Sequence, residues 1–149
     1  MATAMTGTMT KAPIPQDAAK QGSASVTLGR LLIVDDDETF AGELRQDGER
    51  LGLTVDTVHS PADFEHKVHS CQPTIIAMDL VMPGADGLEL LYECARARYS
   101  GHLILMTGGF ELYLNMAEKM ATTYGLRVTA KLPKPFRPKQ FAYLLISLI

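Results

Sequence analysis

Five short apolar runs recur between Leu31 and Ala130, with amphipathic stretches between them. This alternation leaves few architectures open. Strands joined through helices pair in parallel and carry those helices on the faces of the sheet. The runs are Leu31–Val34, Leu53–Val58, Thr74–Met78, Leu103–Met106 and Leu126–Ala130. The first, third and fourth are almost continuously apolar, as expected of strands covered on both sides. The second and fifth are interrupted by polar residues such as Asp56 and Arg127, which places them nearer the edges. The expectation is an α/β fold of five β-α units.

The helices predicted between the runs follow from spacing and end signals. Phe40, Leu44 and Leu51 share one face of the first. Ser60-Pro61-Ala62-Asp63 reads as a capping box with proline at the first position of the second helix. Asp86 caps the third, with Glu89 three residues on and Leu88, Leu91 and Ala95 inward. Phe110, Leu114, Ala117, Ala121 and Tyr124 form the inward stripe of the fourth. Pro138 opens the fifth, with Phe141, Leu144, Leu145 and Leu148 inward. Leu112, Met116 and Met120 on the fourth helix, and Ala142, Ile146 and Ile149 on the fifth, form further apolar stripes suited to a partner surface. Residues 1–28 show neither period and read as a flexible tail, which leaves 29–149 as the folded domain.

Composition excludes several classes. A chain of 149 residues suits one domain that folds without disulfide or metal support. A net charge of −3 and a pI near 5.8 argue against nucleic acid as the main ligand. No apolar run is long enough to span a bilayer, and the N-terminus lacks the pattern of a signal peptide, so no membrane is expected and the cytoplasm is the expected compartment. Cys71 and Cys94 lie far apart with no zinc or CxxC spacing and read as free thiols. His66 and His69 can share a helix face but have no third ligand nearby.

In an open parallel sheet, ligands bind beyond the carboxyl ends of the strands. The first run ends in Asp35-Asp36-Asp37-Glu38, the third in Asp79, the fourth in Thr107-Gly108-Gly109, and Lys134-Pro135 follows the fifth. Carboxylates, a hydroxyl and an ammonium thus converge on one edge. Two carboxylates ~4 Å apart repel by about 4 kcal/mol at an effective dielectric of ~20. A hard divalent cation such as Mg²⁺ offsets that cost through oxygen ligands. An aspartate can also attack phosphorus and form an aspartyl phosphate. Taken singly, the acidic run could be only the first turn of a helix, and Lys134 only a surface lysine.

The segments Leu32-Ile33-Val34-Asp35-Asp36-Asp37, Met78-Asp79-Leu80-Val81-Met82-Pro83-Gly84-Ala85-Asp86-Gly87, Met106-Thr107-Gly108 and Lys134-Pro135-Phe136 resemble the four signatures of response-regulator receiver domains. The resemblance implies a flavodoxin-like doubly wound sheet of order 2-1-3-4-5. It implies Asp79 as phosphoacceptor, Asp36 as a direct Mg²⁺ ligand, Asp35 as a helper through water or hydrogen bonds, and the Val81 carbonyl as a further ligand. Thr107 would hydrogen-bond the phosphoryl group, Lys134 would pair with its oxygens, and the Lys134-Pro135 bond would be cis. The implied partner is a histidine kinase or histidine phosphotransfer protein. The domain would be no enzyme beyond its own phosphorylation and dephosphorylation.

Three features depart from the family pattern. Lys131 stands where receivers commonly carry a switch aromatic, Pro133 directly precedes Lys134, and the interval from Thr107 to Lys134 is long. The Gly125–Phe136 stretch is similar to receivers joined to EAL-type phosphodiesterase domains. No DNA-binding or enzymatic stretch follows the fifth helix within these 149 residues; if they are the whole protein, a single-domain regulator is expected, and if they are part of a longer one, the output lies in a domain that this sequence does not name. In either case the face of the fourth and fifth helices is expected to serve homodimerisation or partner docking. Three rival readings stay open. A pseudo-receiver would bind partners without phosphorylation. A haloacid-dehalogenase-like phosphatase would use Asp35 and Asp37 but leave Asp79 unexplained. A flavin-binding flavodoxin-like protein would need a phosphate loop after the first strand.

Overall fold

The computed structural model describes residues 27–149, so the expected tail lies, up to residue 26, outside the described residues. The strands are β1 (Arg30–Val34), β2 (Thr54–Val58), β3 (Ile75–Asp79), β4 (His102–Thr107) and β5 (Arg127–Pro133). The helices are α1 (Glu38–Arg50), α2 (Phe64–Cys71), α3 (Gly87–Arg96), α4 (Glu111–Thr123) and α5 (Pro138–Leu148). All five strands pair in parallel in the order β2-β1-β3-β4-β5. The two runs with interrupting polar residues form the two edges, as their alternation predicts.

Side chains of a strand alternate between faces, and the core divides accordingly. Leu32, Val34, Ile76, Met78, Leu103 and Leu105 pack under α2, α3 and α4. Leu31, Ile33, Ile75, Ala77, Ile104 and Met106 pack under α1 and α5. Helices thus cover both faces, which is why the central runs tolerate no polar residue before their carboxyl ends. Those ends all point to one edge, where the chain winds away from β1 in opposite directions.

Several local expectations are corrected. Ser60 makes no side-chain capping bond; Pro61–Asp63 is a 3-10 turn and α2 begins at Phe64. The Asp63 N–H that a capping box would use instead donates to the Ser60 carbonyl. In α3 the buried stripe is Gly87, Leu90, Leu91 and Cys94, with Leu88 and Ala95 at its margins. Gly87 lets the start of α3 pack against the chain at Leu80, where a Cβ would stand 2.5 Å from the Leu80 carbonyl oxygen. Phe110 is 86% exposed and Tyr124 also faces solvent, the latter against Tyr92. Both lie just outside α4 as its end caps, so helical periodicity does not carry them inward. β5 is longer than its apolar run and bulges after its pairing with Leu103. It accommodates Pro133 because Lys134 N–H makes the bond to the Thr107 carbonyl, leaving Pro133 turned to the open edge, where no donor is needed.

Candidate phosphoacceptor site

The residues at or just beyond the carboxyl ends of β1, β3, β4 and β5 meet in one cleft, lined by Asp35, Asp36, Asp37, Asp79, Val81, Gly108, Gly109 and Lys134. β1 and β3 are neighbours at the point where strand order reverses, so Asp35, just after β1, lies beside Asp79, which ends β3. Asp35 is fully buried and Asp79 nearly so, while Asp36 is exposed. Lys134 Nζ donates to Asp35 Oδ2 at 2.6 Å and to Asp79 Oδ2 at 2.9 Å. It also lies 4.3 Å from the centroid of the Phe40 ring, whose face favours a cation. The Lys134-Pro135 peptide is cis.

The remaining oxygens of the two buried carboxylates are held by backbone. Asp35 Oδ1 accepts from Asp37 N–H and Asp79 Oδ1 from Val81 N–H, each at 2.9 Å. The His59 ring nitrogen Nδ1 is 3.0 Å from the Asp35 carbonyl oxygen. Burial at Asp35 outweighs the hydrogen bonds from Lys134 and Asp37, and its carboxyl is held above the ordinary carboxylate range. Burial would lower Lys134, but its hydrogen bonds to Asp35 and Asp79 outweigh that, and the ammonium is held above its ordinary value.

Carboxylate oxygens of Asp35, Asp36 and Asp79 lie within 4.8 Å of one another, the group among the described residues that could hold a metal ion. Three carboxylates face one ammonium, and the donors are all hard oxygens. That donor set fits a small divalent cation.

The structure brings Asp35, Asp36, Asp79, Val81 and Lys134 to the cleft. Thr107 ends β4 but is fully buried beneath the Gly108–Gly109 turn, and its hydroxyl oxygen accepts Gly109 N–H at 3.0 Å. Asp37 is diverted: its side chain caps α1 by accepting Phe40 N–H, the reading in which part of the acidic run serves a helix end. Lys131, at the position of the absent aromatic, donates to Asn115 Oδ1 and Glu118 Oε1 on α4. Sequence reasoning missed the site contacts of Phe40 and His59, for which no local motif gives a signal.

The response regulator receiver domain model matches residues 31–145 of this chain. Protein PetR of Rhodobacter capsulatus is 33% identical over 112 residues, which cover 74% of this chain and 44% of that protein. A response regulator from Colwellia psychrerythraea shares 30% identity with a TM-score of 0.69, covering 82% of this chain and 97% of that one. A CheY-like receiver domain protein from Methanospirillum hungatei superposes with a TM-score of 0.70 at 24% identity, over 81% of this chain and 93% of that one. The chain spans less than half the length of the curated relatives it matches. No helix among the described residues is long and apolar enough to cross a membrane.

Proposed function

The chain belongs to the response-regulator receiver family, and on that premise we propose that residues 29–149 accept a phosphoryl group on Asp79 and switch partner binding in response. The observation that carries this reading is the state of Asp79: buried at the end of β3, with one oxygen fixed by Val81 N–H and the other against the Lys134 ammonium. A carboxylate in that setting is oriented and has a cation beside the oxygens that gain charge during transfer.

In the proposed transfer an Asp79 oxygen attacks the phosphorus of a phosphohistidine on a histidine kinase or phosphotransfer protein. The new O–P bond forms as the P–N bond breaks, and the electron pair leaves with the imidazole. Lys134 follows the phosphoryl oxygens, and Thr107 turns its hydroxyl proton toward them. Asp35, Asp36, Asp79 and the Val81 carbonyl would hold Mg²⁺, which when bound offsets the charge shared by the carboxylates and the phosphoryl group. Water attack on phosphorus then restores Asp79 and releases phosphate, so the domain turns over no external substrate beyond its own phosphodonor. The proposed setting is a cytoplasmic two-component pathway, with no role for nucleic acid binding by the domain itself. The output surface is the exposed apolar face of α4 and α5, where Leu112, Met116, Tyr143 and Ile146 stand in solvent, and a second copy is its proposed occupant.

Intact mass after incubation with acetyl phosphate and Mg²⁺ tests the reaction. Wild type should gain one phosphoryl group and Asp79→Asn none. A wild-type protein whose mass never changes, even with rapid quenching, would replace this reading with the pseudo-receiver one.

A further inference from the structure

Residues 80–86 link Asp79 to α3 and fold into a ribbon of only two residue pairs, Val81 with Asp86 and Met82 with Ala85. So short a ribbon is not stable by itself. Leu80 and Met82 anchor its inner side in the core, but Val81 is exposed and Ala85 only half-buried. Its outer end is held differently. Asp86 Oδ1 accepts Leu88 N–H, capping α3, and also accepts the hydroxyl of Tyr113 from the first turn of α4 at 2.8 Å. Burial, then the Asp86 carboxylate, push the Tyr113 phenol up to about 12, so it keeps the proton it donates. α4 is braced from its far side, because Lys131 reaches from β5 to Asn115 and Glu118.

We propose that Tyr113 is a positioning residue for the acceptor loop: its hydrogen bond to Asp86 fixes the ribbon, and through the pairing of Asp86 with Val81 it fixes the backbone that holds Asp79 Oδ1. Lys131 supplies the rigid support on which this tether pulls, so α4 is bolted to the loop after β3 and to the strand that leads to Lys134. The functional consequence rests on the reading of Asp79 as phosphoacceptor; the tether itself does not.

The test is Tyr113→Phe, which keeps the packed ring and removes only the hydroxyl. Hydrogen exchange of the metal-free protein should show amides 80–88 opening about fivefold faster, with β1 amides unchanged, the scale of one lost hydrogen bond to a carboxylate at a partly exposed site. Asp86→Asn keeps the accepting oxygen and should shift the same amides less than about twofold. In phosphoryl labelling by acetyl phosphate, the Mg²⁺ concentration for half-maximal rate should rise about fivefold in Tyr113→Phe while the maximal rate holds, a split that general loss of stability does not produce. Unchanged exchange at 80–88 overturns the tether. Faster exchange with an unchanged Mg²⁺ dependence in a protein that does label overturns the positioning role. Faster exchange in a chain whose wild type takes no phosphoryl group supports the tether and removes the acceptor reading instead.

Discussion

Replacing Lys134 with methionine isolates the electrostatics of the cleft. Methionine keeps an unbranched apolar side chain but removes the ammonium that sits 2.6 Å from Asp35, 2.9 Å from Asp79 and over the Phe40 ring. Removing one partner of a buried ion pair costs about 3–5 kcal/mol, because the other charge stays buried without compensation. Here the Lys134 side chain is 20% exposed and the cleft opens to water, so the lower end applies, about 3 kcal/mol at neutral pH. The loss has a definite pH dependence. Asp35 already titrates above its ordinary value of 3.8 because burial outweighs Lys134. Without Lys134 it rises further. A carboxyl whose folded value lies above its unfolded value binds its proton more tightly in the folded state, so stability grows as pH falls through the raised value and is lost as pH climbs back. The deficit of Lys134→Met should therefore be full at a neutral pH value and smaller at an acidic one. Urea unfolding of both proteins at the two pH values, with equal slopes, measures it. Equal midpoints at neutral pH, or a deficit that stays constant on acidification, would refute the reasoning.

Two further outcomes are expected. Gly87→Ala should destabilise by about 2 kcal/mol or more, since its methyl would meet Leu80 backbone at 2.5–2.6 Å, and thermal unfolding reads this directly; a Tm within error of wild type would show that the loop yields freely. Leu112→Glu, at a position 70% exposed, should leave folding unchanged while abolishing any dimer that sedimentation detects after phosphoryl labelling; a labelled wild type that sediments as a monomer removes the dimer proposal.

Much of the frame is legible in the residues themselves. The apolar runs Leu31–Val34 and Ile75–Met78 are strands, and the polar residues that end them, Asp35 and Asp79, meet at the strand ends, because strand period and termination are local properties. The acidic run was only partly legible: Asp35 faces Lys134, Asp37 turns to cap α1, and nothing in four consecutive acids distinguishes the two. Lys131 could be seen to replace an aromatic, but not that it would brace α4.

The sequence by itself therefore determined the strands, their order of chemistry along the chain, and the candidates Asp35, Asp36, Asp79 and Lys134 that line one cleft. The tertiary structure alone decided how far each helix is rotated, so that Leu90 and Cys94 rather than Leu88 and Ala95 reach the core, and that Phe110 stands in solvent. It alone set Phe40 beneath the lysine and Tyr113 against Asp86. Periodicity reports which face of an element is apolar, whereas rotation and cross-element contacts depend on what packs against that face, and those partners lie far away in the chain.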